Sequence, residues 1–152
     1  MKTIALLLSL GLGFIVRGQS SQVKDLVAAQ NYVFKAQTAI PMSGRIRNLT
    51  SDFDLKVSKN AVVSYLPYFG QAYVAPMDPS KSALEFTSKE FSYASTDGKK
   101  DGWTVTIKPK DYRDVQQLTL NISSEGYATL QVISTNRQTI SFNGIIAPPA
   151  KH

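Results

Sequence analysis

Three segments in the second half of the chain decide the fold: WTVTIK (103–108), LTLNIS (118–123) and YATLQV (127–132). In each of them apolar and polar residues alternate, which is typical of a β-strand with one buried and one solvated face. The residues Ser-Glu-Gly at 124–126 separate the last two segments and have the composition of a turn. The sequence therefore predicts antiparallel strands joined by short turns, because a parallel sheet would need helices between its strands.

The same two-residue period covers most of the remaining chain. It recurs in the segments 32–40, 53–57, 62–66, 84–93 and 140–146, and segment 84–93 is predicted to form one long or bulged strand. Strands of this kind can bury their apolar faces against a second sheet, by closing on themselves or under a helix. We therefore predict a mainly β fold, an antiparallel meander that forms a sandwich or a partly open barrel.

The first 18 residues have the features of a secretory signal peptide. Lys2 supplies a positive charge, and the apolar run from Ile4 to Val16 is about 13 residues long, which suits a signal sequence and is too short to span a bilayer. Arg17-Gly18 completes a tolerable cleavage site. We expect a mature chain that begins near Gln19, is exported to the periplasm or the cell exterior and has no transmembrane span. An uncleaved membrane anchor is the alternative interpretation.

Residues 19–146 are predicted to form a single β-domain, since a length of about 150 residues is typical of one domain. A short helix opens it, because Val23, Leu26 and Val27 follow helical spacing and a serine at 20 or 21 is expected as the N-cap.

After the helix, the period changes to two. The residues expected on one face of the first strand are Tyr32, Phe34, Ala36, Thr38 and Ile40. The tail 147–152 contains two prolines, which lack a backbone donor, and is predicted to be extended and disordered.

The composition excludes several kinds of catalytic site. The chain has no Cys, and its one His is the last residue, His152. A disulfide framework, a thiol nucleophile, a Cys or His metal site and a Ser–His triad are therefore not expected, and neither a metal nor a cofactor is predicted. Removal of Lys2 and Arg17 lowers the net charge from +6 to +4. Because acidic residues also interleave with the lysines, nucleic acid is not a predicted partner.

The segment SYLPYFGQAY (64–73) is the most unusual part of the sequence. Pro67 must end the preceding strand or lie on an edge, and Gly70 permits a turn. The candidate ligand-binding residues are Tyr65, Tyr68, Phe69 and Tyr73. Two interpretations are open, since these aromatic side chains can fill the open end of a barrel or bind an apolar ligand or a sugar ring.

Arg137 is a further candidate for ligand binding. It lies between two strongly alternating segments, where an Arg commonly satisfies carbonyl groups or pairs with a carboxylate of the same protein. Its planar guanidinium would also suit a carboxylate or phosphate of a ligand.

Catalysis in this chain would depend on carboxyl groups. A glycosidase needs two of them facing one cleft, about 5 to 9.5 Å apart. Asp52, Asp54 and Glu85 alternate with apolar neighbours and are expected to face solvent, while Glu90 lies in a polar turn. The sequence therefore favours a binding protein over an enzyme.

Two longer motifs resemble a known protein family. The motifs LPYFG (66–70) and NRQTISFNG (136–144) are similar to those of exported proteins of Bacteroidetes-type bacteria that are known only as a domain of unknown function. The resemblance extends roughly from Asp25 to Ile146. It implies a mainly β, extracytoplasmic domain and supplies no catalytic residues.

Together these features predict an exported, non-catalytic β-domain. It would bind a small ligand, a glycan or a protein partner in the cell envelope through Tyr65, Tyr68, Phe69, Tyr73 and Arg137. Two alternatives are a carboxylate-dependent glycan hydrolase and a structural component of an envelope assembly.

Overall fold

The computed structural model describes residues 18–70, 82 and 84–150. These residues form one α-helix, α1 (Gly18–Ala29), a single 3-10 turn (Lys99–Asp101) and nine strands. The strands are β1 (Tyr32–Pro41), β2 (Arg47–Val57), β3 (Val62–Tyr65), β4 (Glu85–Ser88), β5 (Phe91–Asp97), β6 (Trp103–Pro109), β7 (Val115–Ile122), β8 (Tyr127–Ser134) and β9 (Ile140–Ala147). Of the helical residues in these ranges, none belongs to a helix long and apolar enough to cross a bilayer.

All nine strands belong to one antiparallel sheet in the order β4-β3-β2-β1-β9-β8-β7-β6-β5. The ladder between β1 and β9 joins the first and the last strand and places Val33 opposite Ala147. The two edge strands, β4 and β5, are consecutive in the chain and are separated by Lys89 and Glu90 alone. Because both edges meet at this point, the sheet curls into a nearly closed barrel. The predicted mainly β meander is confirmed, in its barrel form.

The inward face of the barrel is filled with apolar side chains. Phe34, Leu55, Leu130 and Phe142 are each 0% exposed. The helix α1 contributes to the same core through Val23 and Val27. A Cβ atom added at Gly126 would lie 3.3 Å from Val23, so the helix lies close to the turn between β7 and β8 and covers that end of the barrel.

Three local details differ from the sequence prediction. The segment 84–93, predicted as one long or bulged strand, is interrupted at Lys89 and Glu90 and forms the two strands β4 and β5. The helix already includes Gly18, so the serines at 20 and 21 lie inside it and are not its N-cap. The alternation predicts Thr38 on the face of Phe34, but a β-bulge between Ala36 and Thr38 shifts the register. As a result Ala39 is 0% exposed and Thr38 faces outward.

The domain boundaries of the sequence prediction stay predictions. Residues 1–17, which contain most of the expected signal peptide, lie outside the described residues, as do 151 and 152. Ala147, the first residue of the expected tail, is the last residue of β9.

Asp111 fixes the junction between β4 and β5. The Ser88 hydroxyl donates a hydrogen bond to Oδ1 of Asp111, and the backbone N–H groups of Lys89 and Glu90 donate to Oδ2 at 2.8 and 3.2 Å. The N–H of Lys110 donates to the carbonyl oxygen of Glu90 at 2.7 Å. The Ser88 hydroxyl, followed by the amide of Lys89, lowers the pKa of Asp111 because both stabilise the charged carboxylate.

Replacement of Asp111 with Asn is expected to destabilise the protein at about pH 7 and to weaken the acid dependence of its stability. The pKa of Asp111 is lower in the folded chain than its ordinary value of 3.8. The carboxylate therefore stabilises the fold above the unfolded pKa, and this contribution is lost as the pH falls through the folded pKa. Urea denaturation at a series of pH values measures the effect.

The matched control is Glu125→Gln, which changes an exposed carboxyl group in the turn between β7 and β8. It should leave the acid dependence close to that of the wild type. If Asp111→Asn keeps the full wild-type acid dependence, Asp111 does not stabilise the junction as its hydrogen bonds indicate.

Candidate functional site

The direction of each strand determines the end of the barrel at which the following connection lies. Because neighbouring strands are antiparallel, the connections that follow β1, β3, β6 and β8 lie at one end, which we call the aromatic end. The helix α1 and the connections that follow β2, β5 and β7 lie at the other end.

The segment 66–70 crosses the aromatic end. Pro67 cannot donate to a ladder, and β3 ends two residues before it, at Tyr65. Leu66 is 1% exposed and enters the core. The hydroxyl of Tyr68 donates a hydrogen bond of 2.9 Å to the carbonyl oxygen of Gln138, between β8 and β9. The segment therefore runs from β3 to the β8–β9 connection and covers this end of the barrel.

Arg137 is buried beneath this segment. Its side chain is 4% exposed, and its Nη2 lies 3.9 Å from Oδ2 of Asp114. The centre of its guanidinium lies 5.3 Å from the centroid of the Tyr68 ring, within the range of a cation–π interaction. Its Nε is buried without a hydrogen-bond partner. The same Asp114 accepts a hydrogen bond of 3.4 Å from Nδ2 of Asn136.

Two further regions contain tyrosine side chains whose hydroxyl groups stay protonated. At the aromatic end, the ring of Tyr112 stacks on Phe86 with centroids 4.4 Å apart. Burial, followed by the charge of Asp114, raises the pKa of Tyr112. Inside the barrel, the hydroxyls of Tyr32 and Tyr93 share a hydrogen bond of 3.0 Å, and burial raises the pKa of both. These phenols therefore stay neutral at physiological pH.

The β1–β2 connection supplies exposed apolar side chains to the aromatic end. Met42 and Ile46 are 69% and 66% exposed, and Tyr65 is 47% exposed. The guanidinium of Arg47 lies 4.5 Å from the centroid of the Phe69 ring. We call these residues, with Arg45, the end patch: Met42, Arg45, Ile46, Arg47, Tyr65 and Phe69.

The predicted ligand-binding residues divide between the interior and the surface. Tyr65 is exposed, Tyr68 and Phe69 are half-buried and Arg137 is buried, while Tyr73 lies outside the described residues. Tyr68 packs across the barrel end and Tyr65 faces solvent, and ligand binding by these residues stays a prediction.

The sequence interpretation missed Met42 and Ile46. Both lie in MSGRIR (42–47), a short segment in which Gly44 indicates a turn. Large apolar residues on either side of such a turn are the signal that could have identified an exposed apolar surface.

Two carboxyl groups lie in one outer groove, but neither of them is buried. Asp52 and Asp54 line one outer groove of about 710 Å3, together with Lys35 and Lys56. A glycosidase needs two carboxyl groups that face one cleft, but Asp52 is exposed and Asp54 is only half-buried. Within the described part of the chain, no three His, Cys, Asp or Glu side chains are grouped so that they could hold a metal ion.

A family model described as a domain of unknown function, DUF4251, matches residues 17–146. The chain belongs to the DUF4251 family. The family resemblance in the sequence is thereby confirmed. None of the curated proteins matches this DUF4251 chain.

The crystal structure of a DUF4251 family protein from Bacteroides eggerthii has a similar fold. It is 16% identical in sequence, with a TM-score of 0.63 over 86% of this chain and 88% of that chain. At this identity the likeness concerns the fold alone.

Replacement of Tyr68 with Phe removes the hydroxyl that donates to Gln138. We expect a loss of about 1 kcal/mol in the free energy of unfolding, because the part-buried hydrogen bond to the carbonyl oxygen of Gln138 is lost. Urea or thermal denaturation measures the change.

The control for this variant is Tyr65→Phe. The hydroxyl of Tyr65 makes no hydrogen bond with the described residues, so its removal should change the stability by less than about 0.5 kcal/mol. Equal losses in the two variants would contradict the role of Tyr68 in joining the segment 66–70 to the β8–β9 connection.

Proposed function

We propose that this chain is an exported, non-catalytic binding domain of the bacterial cell envelope, and that it binds a protein partner through the end patch. The observation that carries the proposal is the exposure of Met42 and Ile46, at 69% and 66%, next to Arg47, whose guanidinium lies over Phe69 of the aromatic segment. Single exposed apolar residues are common on protein surfaces, but a group of them marks an interaction site.

The composition of the end patch supports a protein partner. The cores of protein–protein interfaces are enriched in aromatic residues, Met and Arg and depleted in Lys, Asp and Glu. The end patch combines Tyr65, Phe69 and Met42 with two arginines and contains no carboxyl group. Tyr and Arg are also among the residues that contribute most to binding free energy.

Internal contacts hold the end patch in place before a partner binds. The ring of Tyr65 stacks on Phe53 with centroids 5.5 Å apart, and Arg47 lies over Phe69. The hydroxyl of Ser43 donates a hydrogen bond of 3.0 Å to Oε1 of Gln138, which anchors the β1–β2 connection. Side chains that are already ordered lose less entropy on binding.

The charges of the end patch indicate the chemistry of the partner. Neither Arg45 nor Arg47 forms an ion pair within the described residues. A partner surface with apolar side chains and nearby carboxylates would complement both parts of the patch.

In this proposal the candidate residues have two roles. Tyr65 and Phe69 contact the partner directly. Tyr68 and Arg137 position the segment 66–70 through the hydrogen bond to Gln138 and the cation–π contact. The apolar run from Ile4 to Val16 supports export.

A photo-reactive amino acid placed at Ile46 or Tyr65 in producing cells is expected to yield a discrete cross-linked product of higher mass. The same group at Lys59, an exposed residue between β2 and β3 at the opposite end, should yield none. Arg47→Glu should reduce the cross-linking yield from Ile46 about tenfold, which corresponds to about 1.4 kcal/mol of binding free energy. Gel electrophoresis and mass spectrometry identify the products.

The outcomes of this experiment separate the parts of the proposal. Equal products from Lys59 and Ile46, or none from Ile46 and Tyr65, would rule out the end patch as a binding surface. N-terminal sequencing of the chain recovered from the cells should begin near Gln19, and recovery in the cytoplasm with Met1 in place would contradict export.

A further inference from the structure

A row of threonine and asparagine side chains crosses the outer face of the barrel. Strand register aligns seven residues from β5 through β6, β7, β8, β9 and β1 to β2: Thr96, Thr104, Asn121, Thr129, Asn143, Thr38 and Asn48. Each is exposed or half-buried. We call this set the Thr/Asn row.

The row itself and the neighbouring row on one side of it are free of charge. The neighbouring row contains Ala94, Thr106, Thr119, Gln131, Ser141 and Ile40. None of the residues in either row is charged, although charged residues make up 18% of the chain. Other outward positions of the same sheet do carry charges, such as Lys35 and Lys108. The preference of Thr for strands explains the threonines but not the asparagines, which are depleted in strands.

Hydrogen bonds within the row fix its polar groups. The hydroxyl of Thr104 donates to Oδ1 of Asn121, and the hydroxyl of Thr129 donates to Oδ1 of Asn143, both at 3.1 Å. These bonds leave the Nδ2 groups of both asparagines without an acceptor among the described residues. The hydroxyl oxygens keep lone pairs that can accept. The row therefore presents oriented, uncharged donors and acceptors to solvent.

The middle of the row forms the floor of a groove of about 1000 Å3. Tyr127, which is 64% exposed, lines it, and so does Trp103, a half-buried residue that packs against the core. The four strands β6 to β9 extend about 14 Å across the sheet at the usual strand spacing, which accommodates a short oligosaccharide.

We infer that this groove binds a neutral polysaccharide. Sugars offer many hydroxyl groups and apolar ring faces, and the groove pairs amide and hydroxyl groups with the exposed ring of Tyr127. Nucleic acids and acidic polymers require clustered cations, whereas the groove contains one cation, Lys99, beside Asp97. An added peptide strand needs an unpaired sheet edge, and the strands of the groove floor are paired on both sides.

The groove is separate from the end patch. None of the end-patch residues is among those that line it. Polysaccharide binding and partner binding can therefore succeed or fail independently.

The test uses the mature chain and three soluble neutral polysaccharides: dextran, xylan and galactomannan. Affinity electrophoresis should show retardation by at least one of them. The fluorescence emission of Trp103 should shift in the same titration, because Trp103 borders the groove next to Thr104. Tyr127→Ala and Asn121→Ala should each weaken the affinity about tenfold or more. Both side chains are exposed, so their removal should leave the melting temperature nearly unchanged.

The matched control is Gln131→Ala, which removes an exposed polar side chain from β8 outside the groove. It should bind as the wild type does. Absence of retardation by all three polysaccharides would overturn the inference, as would binding that Tyr127→Ala and Asn121→Ala leave unchanged. Retardation by polygalacturonate alone, abolished by salt at about 1 M, would also overturn it, because screening would then reveal an electrostatic site.

Discussion

Burial of the inward side chains within a curled sheet is the constraint on which the rest of the structure depends. Each strand has one apolar face, and a barrel of about eight strands has an interior just wide enough for side chains to fill. Phe34, Leu55 and Phe142 occupy this space without exposure to solvent. The surfaces available for recognition are therefore the ends and the outside of the barrel, where the end patch and the groove lie.

Local sequence pattern predicts the strands well because the pattern and the burial have the same physical cause. Segments such as 103–108 alternate without interruption, and Val105 and Ile107 of this segment are buried in the barrel. The pairing of β1 with β9 has no local signal, since its two strands are separated by almost the whole chain. The bulge after Ala36 is equally unpredictable from the sequence, because the side chains on both sides of it are compatible with either face of the strand.

The candidate sites are likewise predictable in part from local sequence and in part only from contacts between distant residues. Pro67 and Gly70 identify the aromatic segment as a break in a strand, but the direction in which it leaves the strand depends on the contact between Tyr68 and Gln138. This contact joins the two motifs that carry the family resemblance, so part of that resemblance lies in packing. The members of the Thr/Asn row occur in seven separate segments, and strand register alone brings them into one line.

The ladder between β1 and β9 also affects when this protein can fold. Val33 and Ala147 are partners, so nearly all of the chain must be available before its first long strand finds the last one. Contacts this distant in sequence slow the search for the native state. Until they form, β1 has an unpaired edge that can associate with other chains. A newly synthesised chain is therefore most prone to aggregation until β9 is available to pair with β1.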